Sequence, residues 1–210
     1  MSAYSTRKAN ILAAFVLAVG CGYSAGTDEA AAQQTRSTNQ IIEALKPAPR
    51  TRSLTATPAD TARRAEDARF VDTLRNRLTR SLTTEERTKI ATITKEKPSI
   101  DLEINFEYNS DRISPATMPQ VTALAQALSS PELKGSTFVL AGHTDAKGGD
   151  TFNQGLSERR AETVRRFLKE KFNLDDGKLV TVGYGRTQLK NQSNPAAAEN
   201  RRVQVVNVAN

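Results

Sequence analysis

The chain of 210 residues has a single cysteine, Cys21, a single histidine, His143, and no tryptophan. One cysteine makes no internal disulfide, so no covalent framework holds the fold. One histidine leaves only carboxylates to build a metal centre, which excludes the zinc chemistries based on His and Cys sets. Long apolar runs are missing too: the stretch 11–19 is too short to cross a bilayer as a stable helix, which takes ~20 residues. An outer-membrane barrel needs at least eight strands of ~9–11 residues, for which residues 33–98 are too short and too helical in pattern. Internal repeats are absent, which excludes a solenoid. The glycine loop 142–149 lacks the Gly-Lys-Ser/Thr ending of a nucleoside-triphosphate loop.

What the chain does have is basic charge, +7 overall. A positive balance points to nucleic acid or a membrane surface only when it gathers on one structured face. Residues 1–32 carry two basic and two acidic residues, residues 33–98 carry 14 and 8, and residues 99–210 carry 14 and 13. The middle segment holds almost all of the excess. The C-terminal half, at +1, lacks the basic face that nucleic acid demands.

Residues 1–32 read as an export signal. Arg7 and Lys8 precede the apolar stretch 11–19, and small residues follow. Two exits are legible, and they anchor the protein differently. Ala30-Ala31-Ala32 before Gln33 offers the small residues that release a soluble exported chain, whereas Leu17-Ala18-Val19-Gly20-Cys21 resembles a bacterial lipobox, whose cysteine carries lipid. Cys21 is then either a lipid attachment point at the outer membrane or a small apolar residue of a discarded peptide.

Residues 33–98 read as a basic, partly helical spacer. Thr38 and Asn39 open a short helix over 40–46 that Pro47 stops. Phe70, Val71, Leu74 and Leu78 put one narrow apolar stripe on a helix within 58–82, and Thr83 with Glu86 makes a capping box for a further turn toward Lys95. Large apolar residues are too few for an independent core, so the expectation is a solvated segment whose arginines face water. As a flexible coil it spans roughly 45 Å. A grip on anionic headgroups or an acidic wall polymer is the sharper alternative.

From residue 99 strands alternate with helices. Residues 100–108 alternate apolar and polar, 115–128 and 152–172 have helical spacing, and 136–141, 179–182 and 202–208 are short strands. This alternation implies an α/β (α+β) two-layer sandwich with one sheet. On the long helix, with Leu156 as origin, Phe167, Val164, Leu168 and Ala161 fall within about 140° and form the apolar stripe. Arg160 falls at about 40° and Asn153 at about 60°, inside it, while Arg159, Arg165 and Arg166 fall outside and are expected in water. A guanidinium on the core side needs a partner, because an unpaired buried charge is costly. Arg160 is thus an ion-pair member or a ligand clamp. Asp145 is the acid in range, in the loop Gly142-His143-Thr144-Asp145-Ala146-Lys147-Gly148-Gly149 that joins a strand end to this helix. Strand-end loops are where α/β sheets present ligand-binding groups.

Three motifs, Gly142-His143-Thr144-Asp145, Asn153-Gln154-Gly155-Leu156-Ser157-Glu158-Arg159-Arg160-Ala161 and Asn200-Arg201-Arg202-Val203, follow Phe106-Glu107-Tyr108-Asn109. In order and spacing they resemble the signature of the OmpA-like peptidoglycan-binding domain. The resemblance runs over 99–209. It implies a βαβαββ domain that holds the diaminopimelate of the peptidoglycan stem noncovalently and tethers the outer membrane to the wall from the periplasm. By matching positions it implies that Asp145 binds the ligand's ammonium and Arg160 its carboxylate. Asn153, Thr144 and Asn109 would add hydrogen bonds, with Arg201 at the rim, and no cofactor is implied. Leu189 departs from the proline common there, and Asn109 from an aspartate, which removes one charged contact. A zwitterion suits an acid and a guanidinium at close range, since the planar fork holds a carboxylate bidentately.

A periplasmic cell-wall hydrolase or other envelope enzyme using His143 and Asp145 is the rival class. Ser157 would be its nucleophile, but no nucleophile elbow surrounds it, and the histidine lies two residues from the acid on one loop. His143 reads more simply as a loop residue packed beside the site. A flagellar stator subunit of the same family needs a true membrane-spanning helix, which 11–19 is not.

Overall fold

The computed structural model describes residues 35–47, 57–75, 77–106 and 110–208. The export signal with Cys21, and Asn109, lie outside them. Four strands, β1 (Ser99–Leu102), β2 (Phe138–Gly142), β3 (Leu179–Gly183) and β4 (Val203–Asn207), form one sheet in the order β1-β4-β2-β3. β2 and β3 run parallel, and β4 runs antiparallel to both β1 and β2. Helix α4 (Met118–Leu128) links β1 to β2, and α5 (Asp150–Phe172) links β2 to β3, so the α/β order is βαβαββ. β1 is shorter than the alternation over 100–108 suggested: the chain leaves the ladder after Leu102 and pairs again at the Phe106–Ile113 bridge.

Helix α5 starts after Gly149 with Asp150 in its first turn, carries Lys169 and Lys171 in its last, and ends at Asn173 in the left-handed region. It lies very close to the strand ends. A Cβ on Gly142 would strike the Ser157 carbonyl, and one on Gly183 the Glu158 amide and side chain, so these positions admit only glycine. That close approach sets the first turns of α5 over the loops leaving β2 and β3.

Alternate strand residues face two cores. Leu102, Phe138, Leu140, Leu179 and Val205 pack with residues of α4, α5 and a helix α1 (Thr38–Leu45). Val139, Ala141, Val180, Val182 and Val206 pack with Val71, Leu74, Leu82, Ile90 and Ile93. These five come from α2 (Pro58–Thr73), the turn after it, and α3 (Thr84–Thr94). The solvated spacer expected over 33–98 is therefore corrected: Gln33–Asn210 is one compact unit. Its apolar residues are too few for a core of their own, and they complete one that the sheet already half supplies. The two-layer domain thereby gains a third layer.

Capping boxes open all three added helices, at Ser37 with Gln40, Thr57 with Asp60, and Thr83 with Glu86. The third is the expected one, whereas the first begins one residue before Thr38. Helix α2 ends at Thr73, and Leu78 beyond it is 45% exposed, so the stripe expected to run through it is broken.

Arg165 is a further correction. Expected in water, it is 4% exposed, because residues 77–82 cover that side of α5. Its Nη1 donates to the Arg77 carbonyl at 3.1 Å and its Nε to Asp176 Oδ1 at 2.8 Å, and the Thr79 hydroxyl donates to Thr181 nearby. Among the described residues no helix is long and apolar enough to cross a membrane, and no group of three His, Cys, Asp or Glu side chains is placed to hold a metal ion.

Candidate functional site

Asp145 lies three residues past β2 and is buried. Its Oδ1 accepts from the Lys147 amide at 3.1 Å, which folds the loop into an Asx-type turn. Its Oδ2 accepts from Arg201 Nη1 at 2.9 Å. The loop is braced by its neighbours: the Thr144 amide donates to the Gly185 carbonyl, the Ala146 amide to the Pro195 carbonyl, and Asn153 Nδ2 to the Lys147 carbonyl, each at 2.9 Å. The Pro195 segment is organised in turn by buried Asn200, whose Nδ2 donates to the carbonyls of Asn191, Asn194 and Pro195. One residue on, Arg201 reaches Asp145.

Arg160 stands two turns along α5 from Asn153 and is half-buried. Its guanidinium carbon lies 4.7 Å from the centre of the Phe106 ring, a cation–π contact. Its Nε is buried with no hydrogen-bond partner among the described residues. Burial, then the positive Arg201, lowers its pKa from the ordinary arginine value, while Asp145 and Asp111 act the other way. It stays a cation at neutral pH. Two guanidiniums thus surround one carboxylate: Arg201 is bonded to it, and Arg160 is within its electrostatic reach.

Of the residues singled out from the sequence, Asp145, Arg160 and Arg201 come together. Asp145 is engaged by Arg201, whose side chain is partly exposed and is a direct partner of the acid. Thr144 is buried with its hydroxyl unpartnered among the described residues. Asn153 commits its Nδ2 to the Lys147 carbonyl, so that group supports the loop. Two contributors had no role assigned from sequence, Phe106 beneath Arg160 and Asn200 at the hub of 191–195. Both stood in the motifs, but neither spacing nor periodicity shows where a strand leaves its sheet.

His143 is 1% exposed, its ring tilted against Tyr184 with centroids 5.5 Å apart. Burial, then the neighbouring Arg202, pushes its pKa down to about 3, with Asp101 and the Gln188 backbone opposing. An imidazole so hard to protonate is a weak base. It packs with Tyr184, part of the core beneath α3, and the described contacts of the Asp145 carboxylate are to Lys147 and Arg201. A hydrolytic His143–Asp145 pair is not assembled by these contacts.

Comparison with known proteins adds a relation. Residues 105–202 match the model of the OmpA family. Outer membrane porin F of Pseudomonas aeruginosa is 30% identical over 107 residues, which cover 50% of this chain and 30% of that protein. The peptidoglycan-associated lipoprotein of the same organism is 35% identical over 104 residues, 48% of this chain and 58% of that protein. The crystal structure of the peptidoglycan-associated lipoprotein from Burkholderia pseudomallei aligns with a TM-score of 0.43 at 23% identity, over 55% of this chain and 92% of that one. The chain matches about a third of the length of the porins and under two thirds of that of the lipoproteins.

Proposed function

We propose that the chain, whose residues 105–202 match the OmpA family model, binds peptidoglycan in the cell envelope, and that the ligand held is the diaminopimelate of the stem peptide. The carrying observation is a buried Asp145 carboxylate beside an Arg160 guanidinium whose Nε has no partner among the described residues. A free amino-acid end presents an ammonium and a carboxylate together, and each meets its opposite here. Asp145 already holds Arg201, so the incoming ammonium shares or replaces that contact, and Arg201 turns to the ligand's carboxylate. One charge-assisted contact contributes about 1.5–3 kcal/mol, so a single domain binds modestly and the repetition of the wall polymer strengthens retention. No cofactor takes part.

The names of the relatives support an exported, periplasmic location at the outer membrane, which makes the chain a tether between that membrane and the wall. Cys21 is the proposed lipid attachment point. A mature chain that begins at Gln33 without lipid, read from its intact mass, would remove the anchor and leave wall binding standing. Wall binding itself is tested by co-sedimentation with purified peptidoglycan. The parent is expected in the pellet, and Asp145→Ala and Arg160→Ala are each expected to lose about tenfold or more in affinity. Retention of both variants at the parental level would put the site elsewhere.

A further inference from the structure

A cleft of about 790 Å³ lies between α3, the first turns of α5 and the loop that leaves β3. Its volume is that of a small-ligand site, and it opens at the C-terminal ends of the parallel strands, where α/β sheets bind ligands. Neither Asp145 nor Arg160 lines it, yet it adjoins the loop of Asp145. Gly185, in its wall, accepts from the Thr144 amide, and Arg186 donates from Nη1 to the Ala146 carbonyl, so the wall is tied to the residues on either side of Asp145.

The charged groups in this cleft neutralise one another. Arg87 Nη1 pairs with Glu158 Oε1 at 3.2 Å, Gln154 donates to the same oxygen at 2.7 Å, and Arg186 pairs with Asp150. The rest of the polar lining is hydroxyl and amide, including Thr88, Thr151 and Gln188. Donors and acceptors without net charge suit a neutral, polyhydroxylated ligand better than an ion. One wall, with Thr88 and Ala91 on α3, lies outside the residues that match the family. The third layer therefore helps to build the cleft.

We infer that the cleft binds a neutral sugar of a glycan strand, as a second subsite next to the stem-peptide site. The inference rests on the peptidoglycan reading. In that polymer the stems hang from the sugar chain, so two adjoining subsites engage both parts of one ligand, and each raises the effective concentration of the other.

The test titrates the full chain, by amide NMR, with glycan strands freed of stem peptides by an amidase, and separately with a stem tripeptide containing diaminopimelate. The stem-free glycan is expected to shift the signals of Thr88, Gly183 and Gly185. Thr88→Trp and Thr151→Trp enlarge exposed side chains on the two helical walls. Each is expected to weaken glycan binding at least tenfold with tripeptide binding unchanged, and Arg160→Ala to do the reverse. Glycan strands that leave those signals unmoved, or two folded Trp variants that bind them like the parent, would overturn the subsite. Glycan binding without tripeptide binding would support the subsite and overturn the diaminopimelate assignment.

Discussion

Arg160 lies within the apolar stripe of α5 and sets its head over the Phe106 ring, which lets a helix half-bury a guanidinium without neutralising it. The result is a desolvated cation whose Nε has no hydrogen-bond partner among the described residues. Arg201 is bonded to Asp145, while Arg160 feels both Asp145 and Asp111 against the positive Arg201. His143, on the same loop, is the opposite case, a titratable group held neutral. Its unfolded pKa is near 6.5 and its folded pKa about 3. Between those values the unfolded chain binds one proton more, so stability falls as pH drops through that window, by about 1.4 kcal/mol per unit. The variant His143→Phe keeps a ring beside Tyr184 and cannot take the proton. Urea unfolding at pH 7 and pH 5 is expected to show a loss about 2 kcal/mol larger in the parent than in this variant. Equal losses would mean that His143 titrates normally in the folded chain.

At the level of elements, periodicity was informative where a helix or strand is covered once. The stripe of α5 put Arg160 and Asn153 inward, and the strand pattern from 99 onward gave a single sheet, because alternation and helical spacing report which face leaves water. The same rule fails on an element covered twice. Arg165 lies at about 180° from Leu156 and reads as solvated, yet residues 77–82 bury it. It fails again on α2 and α3, where few residues touch the sheet: Val71 is the buried residue of α2, and Ile90 and Ile93 are those of α3. Helices with so narrow a contact carry little amphipathic signal. The Asp145–Arg201 bond, between residues 56 apart, and the Arg87–Glu158 pair, between residues 71 apart, arise from tertiary placement, which no local spacing encodes. The motifs contain Asp145, Arg160 and Arg201, but nothing in their spacing shows that Arg201 is bonded to Asp145.

For the molecule as a whole, half of the basic excess of 33–98 belongs to residues 57–98, with 10 basic and 7 acidic residues, whose helices pack on the sheet, and several of these cations are paired within that layer or to the domain. Arg77 meets Glu86, Lys89 meets Glu66, and Arg87 meets Glu158. The packing of α2 and α3 on the sheet puts the boundary of the folded unit before the third layer and not at residue 99. A fragment spanning 99–210 keeps Asp145, Arg160 and Arg201 but uncovers Val139, Ala141, Val180, Val182 and Val206, which Val71, Leu74, Leu82, Ile90 and Ile93 otherwise cover. Burying five such covering side chains contributes on the order of 10 kcal/mol before chain entropy is subtracted, as an upper estimate. That is comparable to the whole net stability of a domain, ~5–15 kcal/mol. Residues 33–210 are therefore expected to unfold at clearly higher urea than 99–210. The shorter fragment is expected to bind an apolar dye and to self-associate through its bare sheet face. A monodisperse, dye-negative 99–210 fragment with the urea midpoint of the longer chain would show that the third layer contributes nothing to the fold, and would return 33–98 to the role of a spacer.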